Sequence, residues 1–450
     1  MSAALARAVA EGAWRPPERE ERLGLGFYAT DTPGVVGALK ASAEAFRVTE
    51  ISSHPLPDPE GSYVVLTLAS RDWEQHELAE AVARRLHLAP GSVHWSGTKD
   101  RRAVSQRLFS YRGPPPETDF GLRDVELRGW YRARDGLVLG HHYGNAFDIV
   151  VSELARGTEA ALESFRRTER SLREGPGFPN FFGPQRFGEV RPVTHEVGRW
   201  IVRGDLARAV DVYLAERPVE GEPGPGDAAR VAFAEHHDPA RALREFPATY
   251  RFEHRLLEHL ARGHSPERAL RALSRDLRTL FVHAYQSWIF NRWLSDRRAG
   301  GLPLDGPVEG DRILRIGRDG TIRGNDSVPV EADNRAECAE LVRRGGARVG
   351  GPIVGFDSPP SVGEAGRLLE RILAEEGIER AQFAVRAAPE LASRGTYRPI
   401  VVPAPPMGLA GEEGAVRFRF ALPKGAYATV LLREYLKDGA RRTSSAAGAG

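Results

Sequence analysis

Residues 61–69, Gly61-Ser62-Tyr63-Val64-Val65-Leu66-Thr67-Leu68-Ala69, form a short apolar run that reads as a buried strand. A helix is expected next, from about Trp73 to Leu86 and capped near Asp72, with Leu78, Val82 and Leu86 on one face. Val93-His94-Trp95 is a short strand that runs into the turn Ser96-Gly97-Thr98, and Arg107-Leu108-Phe109-Ser110-Tyr111 is another strand. A β-α-β-β order of this kind, with no internal repeat, predicts an α+β domain with a largely antiparallel sheet.

Further along, Pro218 to Gly226 reads as an exposed linker rich in Pro, Gly and Glu. Ser265-Pro266-Glu267 is a helix start, with Ser as cap and Pro at the first helical position. A long helix is expected from about Asp276 to Arg298, with Leu277, Leu280, Phe281, Ala284 and Trp288 as its packing stripe. Residues 1–25 and 438–450 read as tails, the second small, polar and flexible.

At 450 residues, the chain has room for two or three domains. A hydrophobic fraction of 41% is enough for real cores. No apolar stretch approaches the ~18 residues of a membrane span, and Met1 to Glu20 lacks the apolar core of a signal peptide. A soluble cytoplasmic protein is the expectation. The single cysteine, Cys338, excludes an intramolecular disulfide and Cys-rich zinc sites, and reads as a small buried residue. Glu235-His236-His237-Asp238 could ligate metal, but adjacent histidines point apart and a polar turn is the better reading. No metal or cofactor is expected.

The net charge of +2 does not mark a nucleic-acid binder. The kind of base is more informative: of 63 basic residues, 59 are arginine, and lysine stands only at 40, 99, 424 and 437. Arg-favouring codons account for most of this bias but not for the lysines that remain. Arg cannot replace Lys where a compact ammonium or a shiftable pKa is needed.

Two segments carry candidate chemistry. Gly97-Thr98-Lys99-Asp100 places a lysine beside a carboxylate on a turn, which can favour the ionised form; taken alone, an exposed ion pair in a surface turn is the better reading. Phe178-Pro179-Asn180-Phe181-Phe182-Gly183-Pro184-Gln185-Arg186-Phe187-Gly188 mixes aromatics with Asn, Gln and Arg. An extruded base needs such a mixture: an aromatic face to stack on, an amide to read its edge and an arginine for phosphate. An aromatic loop packed on a core has the same composition.

The whole set resembles the TruD family of pseudouridine synthases. Gly97-Thr98-Lys99-Asp100-Arg101-Arg102-Ala103-Val104 looks like that family's signature, and Asn180 through Gly188 is similar to its second motif. Four further segments resemble it, in the family's order: Lys40 through Phe46-Arg47-Val48-Thr49-Glu50, Gly144-Asn145-Ala146-Phe147, Ala284 through Asn291, and Leu422-Pro423-Lys424-Gly425 through Arg433-Glu434. The chain departs from the family's usual residues at Ala43, Ala45, Ser105, Gln106, Arg107 and Ala146.

The resemblance implies a catalytic α+β domain with a bent, mainly antiparallel sheet over 26–205 and 397–437, and an inserted α/β domain over 206–396. RNA would lie between the two. The implied reaction turns uridine into pseudouridine in tRNA, at position 13, without cofactor. Asp100 would be the catalytic carboxylate, acting as nucleophile or base. Phe182 would stack on the uracil, Asn180 would fix the loop or substrate, and Gln185 and Arg186 would contact RNA. Lys40 would be the ammonium partner of Asp100, with Lys99 and Glu50 as weaker candidates. The rival readings are a structured-RNA-binding protein without catalysis and a hydrolase with Glu50 and Asp100 as paired carboxylates.

Overall fold

In the computed structural model, the residues described are 14–52, 55–97, 103–140, 142–188, 191–217, 224, 226–317, 320–360 and 362–442. Asp100, with Thr98, Lys99, Arg101 and Arg102, lies outside them, as does most of the 218–226 linker. Among the described residues, no helix is long and apolar enough to cross a membrane. The chain divides into two compact units, one of 32–175 with 403–442, the other of 14–31 with 176–402.

The first unit is built on a ten-stranded sheet. From one edge its main path runs Gly408–Glu412, Ala415–Pro423, Gly144–Ser152, Phe46–Ile51, Val104–Arg112, Tyr63–Arg71, Val125–Ala133. All neighbours on this path are antiparallel except Phe46–Ile51 with Val104–Arg112. The mainly antiparallel α+β expectation therefore holds. The strand read from Tyr63 extends to Arg71, and its helix runs from Gln75 to Arg85. Its cap is Glu74, whose carboxylate accepts from the Glu77 N–H at 2.9 Å, not Asp72, whose φ of 57° belongs to the turn before it. Leu78 and Val82 pack that helix on Val64, Leu66, Leu68, Phe109 and Tyr111. Elsewhere in the unit, Phe165 and Tyr435, from two further helices, close on Phe418 at 4.9 and 5.3 Å between ring centres.

The second unit surrounds the helix Arg275–Ala299, N-capped by Ser274. The expected one-sided stripe is instead burial on every side from Phe281 to Asn291, except at His283. Polar residues of this helix are buried against specific partners. Gln286 donates to the Val354 carbonyl at 2.6 Å, and Arg297 makes a two-pronged ion pair with Asp311 at 2.7 and 2.8 Å with both side chains buried. A four-stranded antiparallel sheet, Ile322–Pro329, Arg312–Ile316, Ala347–Ile353, Thr396–Pro399, belongs to the same unit. Cys338 sits in the core beside it with Ile313, Val330 and Ala347, where burial pushes its thiol pKa up.

Residues 176–205 and 397–402 fall in the second compact unit, where Phe178–Pro179 pairs with Val401–Val402 and the helix Thr194–Arg203 lies hard against Arg275–Ala299. A Cβ on Gly198 would stand 1.9 Å from the Phe281 carbonyl oxygen, so only glycine permits that approach. Residues 22–25, at the end of the expected tail, are packed in place. Trp288 Nε1 donates to the Arg22 carbonyl, Asn291 to that of Leu23 and Ser295 to that of Gly24, and Leu23 and Leu25 are buried. At the other end, Ala440–Arg442 forms a parallel strand on Gly37–Leu39.

Candidate active-site segments

In the first unit, four segments far apart in sequence become neighbours through strand register. Glu50 lies opposite Asn145, and Asn145 opposite Leu422, while Arg47 pairs with Val104 on the other side. The Lys40–Glu50, Gly144–Phe147 and Leu422–Glu434 segments thus meet, with Val104, at the middle of one sheet. Glu50 accepts a hydrogen bond from Ser96 Oγ. The Ser96 carbonyl accepts from the Gly140 N–H at 2.6 Å and from His142 Nδ1 at 3.0 Å. A carbonyl can only accept, so Nδ1 carries the proton of His142. Lys424 Nζ donates to the Gly140 carbonyl at 2.7 Å. The stem of the segment that leads to Asp100 is therefore braced from three sides.

The lysines among the described residues, Lys40, Lys424 and Lys437, all fall in this unit. Lys40 is buried, with its ammonium 4.6 Å from the centre of the Phe46 ring and its backbone at φ 58°. Lys437 is buried with Glu434, Nζ to Oε2 3.1 Å. Breaking such a pair strands a charge, which costs ~3–5 kcal/mol. The departures at Ser105 and Arg107 also find a use. Arg107 is buried and donates to Ser105 and Gln75, and Ser105 lies 3.2 Å from Ser70 Oγ. Burial pulls the Arg107 pKa down to about 10, which leaves it charged at neutral pH.

In the second unit, the loop from Phe178 to Gly188 is held by polar clamps. Asn291 grips the backbone of Phe182 from both sides, accepting its N–H at 2.8 Å and donating to its carbonyl at 3.0 Å. Asn180 is buried. Its Nδ2 donates to the Pro399 carbonyl at 2.9 Å, and its Oδ1 accepts from Arg398 at 2.7 Å. Phe181 and Phe187 are fully buried, packed edge-on against Phe27 and His195. Phe182 differs: its ring is only partly buried, edge-on to Phe290 at 5.6 Å, with the Arg398 and Arg186 guanidinium carbons 4.1 and 5.7 Å from its centre. Gln185 and Arg186 follow on a short 3-10 turn, and Arg186 Nε donates to Ser287 at 3.1 Å. Beside Arg186, His283 has its pKa lowered to about 4, first by burial and then by that charge. Arg191, just after the loop, is turned inward onto the carbonyls of Tyr213 and Glu216.

Sequence reading passed over Ser96, His142 and the clamping roles of Asn291 and Arg398. Asn291 lies in a quoted segment, but Arg398 lies outside all of them. The stretch read as a polar turn is a helix joint: Glu235 and His236 end one helix, His237 follows at φ 45° and the Asp238 carboxylate caps the next. Among the described residues, no three His, Cys, Asp or Glu side chains gather into a possible metal site.

Comparison with known proteins accounts for this arrangement. The family model for tRNA pseudouridine synthase D (TruD) matches residues 22–435. Proteins named "Probable tRNA pseudouridine synthase D" are similar over nearly their whole length. That of Methanosarcina mazei is 33% identical, over 94% of this chain and 98% of its own. That of Halobacterium salinarum is 37% identical, over 93% and 97%. The crystal structure of a TruD protein from Methanosarcina mazei superposes with a TM-score of 0.77 at 31% identity, covering 94% of this chain and 98% of that one. Matching over this extent, in sequence and in fold, the chain belongs to the TruD family of tRNA pseudouridine synthases, which are isomerases.

Proposed function

We propose that the chain isomerises uridine to pseudouridine at position 13 of tRNA, in the cytoplasm, with Asp100 as the catalytic carboxylate. The ten-stranded unit would be the catalytic domain, and the helix-rich unit would contain the family-specific insertion. The reaction breaks the N1–C1′ bond and joins C5 to C1′; N1 takes up a proton and C5 gives one up. Bonds of similar strength are exchanged, so no energy source is needed. What the protein must supply is a carboxylate at the sugar or ring and a surface that keeps the detached base in place.

The observation that carries the reading is the Phe182 loop. One aromatic ring is left partly open between two buried ones, its backbone is fixed by Asn291, and two guanidiniums lie over it. A base-stacking platform needs such a ring, and the adjacent cations suit an anionic strand. Asn180, with its amide engaged by Pro399 and Arg398 of the strand Thr396–Pro399, acts by fixing the platform.

The test is release of tritium from tRNA labelled at uridine C5, followed by mapping of the modified position. The wild-type protein should release label and modify position 13. Asp100→Asn should bind tRNA with near wild-type affinity and release none. Substantial turnover by that variant would overturn the role of Asp100. Binding by the wild-type protein without any release would favour a purely RNA-binding role.

A further inference from the structure

Arg398 touches the Phe182 loop in three ways. Its Nε donates to the Asn180 carbonyl at 2.9 Å, its Nη2 donates to Asn180 Oδ1 at 2.7 Å, and its Cζ lies 4.1 Å from the centre of the Phe182 ring. The strand Thr396–Pro399 delivers it, in register with Gly351 of the neighbouring strand. Successive strand residues face opposite ways. The preceding Tyr397 accordingly lies under Arg312, at 5.2 Å, and not in the loop. One planar group thus binds the backbone and side chain of one loop residue and stacks over the ring two residues later.

We propose that Arg398 is a positioning residue for pseudouridine formation, setting the tilt of the Phe182 ring before substrate arrives. This rests on reading Phe182 as the base platform. A phenylalanine in a loop is free to turn about two side-chain bonds, and a base can stack only when the ring stands at one tilt. Phe290 fixes the ring from its edge; Arg398 fixes it from a face, and is itself fixed by the fork of two hydrogen bonds to Asn180. Planarity is the property that matters. A lysine would keep the charge but could neither fork to Asn180 nor lie flat on the ring. A glutamine would lose the charge but keep a flat amide with a donor.

The test compares Arg398→Lys, Arg398→Gln, Phe182→Ala and the double variant R398K/F182A, each assayed below its melting temperature and per folded molecule. R398K should lower kcat about tenfold while KM for tRNA changes less than twofold. R398Q should keep more kcat than R398K. The double variant should be no slower than F182A alone, because Arg398 acts through that ring. A raised KM at unchanged kcat in R398K would make Arg398 a phosphate contact and overturn the proposal. So would R398K outperforming R398Q, which would mark a role for charge. Wild-type kcat in both variants, or failure of both to fold, would assign Arg398 to stability and equally overturn it. If F182A itself turns over at the wild-type rate, the platform reading fails. If F182A is slow while both Arg398 variants are fast, only the role of Arg398 fails.

Discussion

In the ten-stranded unit the family segments become neighbours through strand register, whereas around the helix Arg275–Ala299 they become neighbours through polar side chains buried against backbone. The first arrangement places Glu50, Asn145 and Leu422 side by side by main-chain bonding alone. The second depends on individual amides and guanidiniums: Asn291 on Phe182, Asn180 on Pro399, Arg398 on Asn180. A site built on register tolerates changed side chains but not a slipped strand. A clamped loop is loosened when one clamp is removed, because the stranded polar partner then costs ~1–3 kcal/mol.

The largest effects should separate packing from function within the clamped loop. Phe181→Ala should lose ~3–5 kcal/mol of stability, the cost of removing a buried Phe, because its ring is fully enclosed. Phe182→Ala should barely move the melting temperature yet slow turnover about ten- to a hundredfold, given ~1–3 kcal/mol for a stacked base. Thermal melts and single-turnover rates of the two variants check this. A strongly destabilised Phe182→Ala protein that stays fully active in the cold would give the ring back to the core.

Next in size is a titration in the same unit. His283 ionises at 6.5 ordinarily but near 4 in the folded protein. Between these values the unfolded chain binds the extra proton. Stability that is complete above pH 6.5 is therefore lost as the pH falls toward 4, by at most roughly 3 kcal/mol at 1.36 kcal/mol per unit. The drop in urea midpoint from pH 7 to pH 4.5 should be smaller in His283→Gln than in the parent protein. Identical pH dependence in the two would remove His283 as the cause.

The smallest effect probes the register-built unit. A Cβ on Gly97 would stand 2.6 Å from His142 Cε1. The ring must then shift away from the Ser96 carbonyl, an overpacking cost of ~1–3 kcal/mol. Gly97→Ala should slow turnover through the adjoining Asp100 segment with little change in tRNA affinity, and adding His142→Ala should restore part of the rate. If the single variant is as fast as the parent, the brace on this segment does not matter to catalysis.

Legibility in the sequence followed the same division. The strand Tyr63–Arg71, the helix after it and the Ser265 cap were readable, since alternation, apolar faces and caps are local properties. The burial of Gln286, Asn291 and Arg297 was not, because a polar side chain looks alike facing water or facing a distant carbonyl. The unit boundaries at 175 and 402 were hidden for a related reason. They depend on Gly198 meeting Phe281 and on a two-residue strand pairing across more than two hundred positions. Phe182 was singled out by resemblance; that its neighbours Phe181 and Phe187 are enclosed while it is not is a property of packing alone.

The pairing of Ala415–Pro423 with Gly144–Ser152 has a consequence for synthesis. Ribosomes add ~5–20 residues per second, and domains fold as they emerge. The central strand Gly144–Ser152 leaves the ribosome long before its partner exists, so one edge stays open for roughly 13 to 50 s while the intervening segment is made. An open strand edge is a template for pairing with other chains. Until Ala415–Pro423 arrives, the nascent protein carries its future sheet centre as an exposed border, and chaperone dependence should be greatest in that interval.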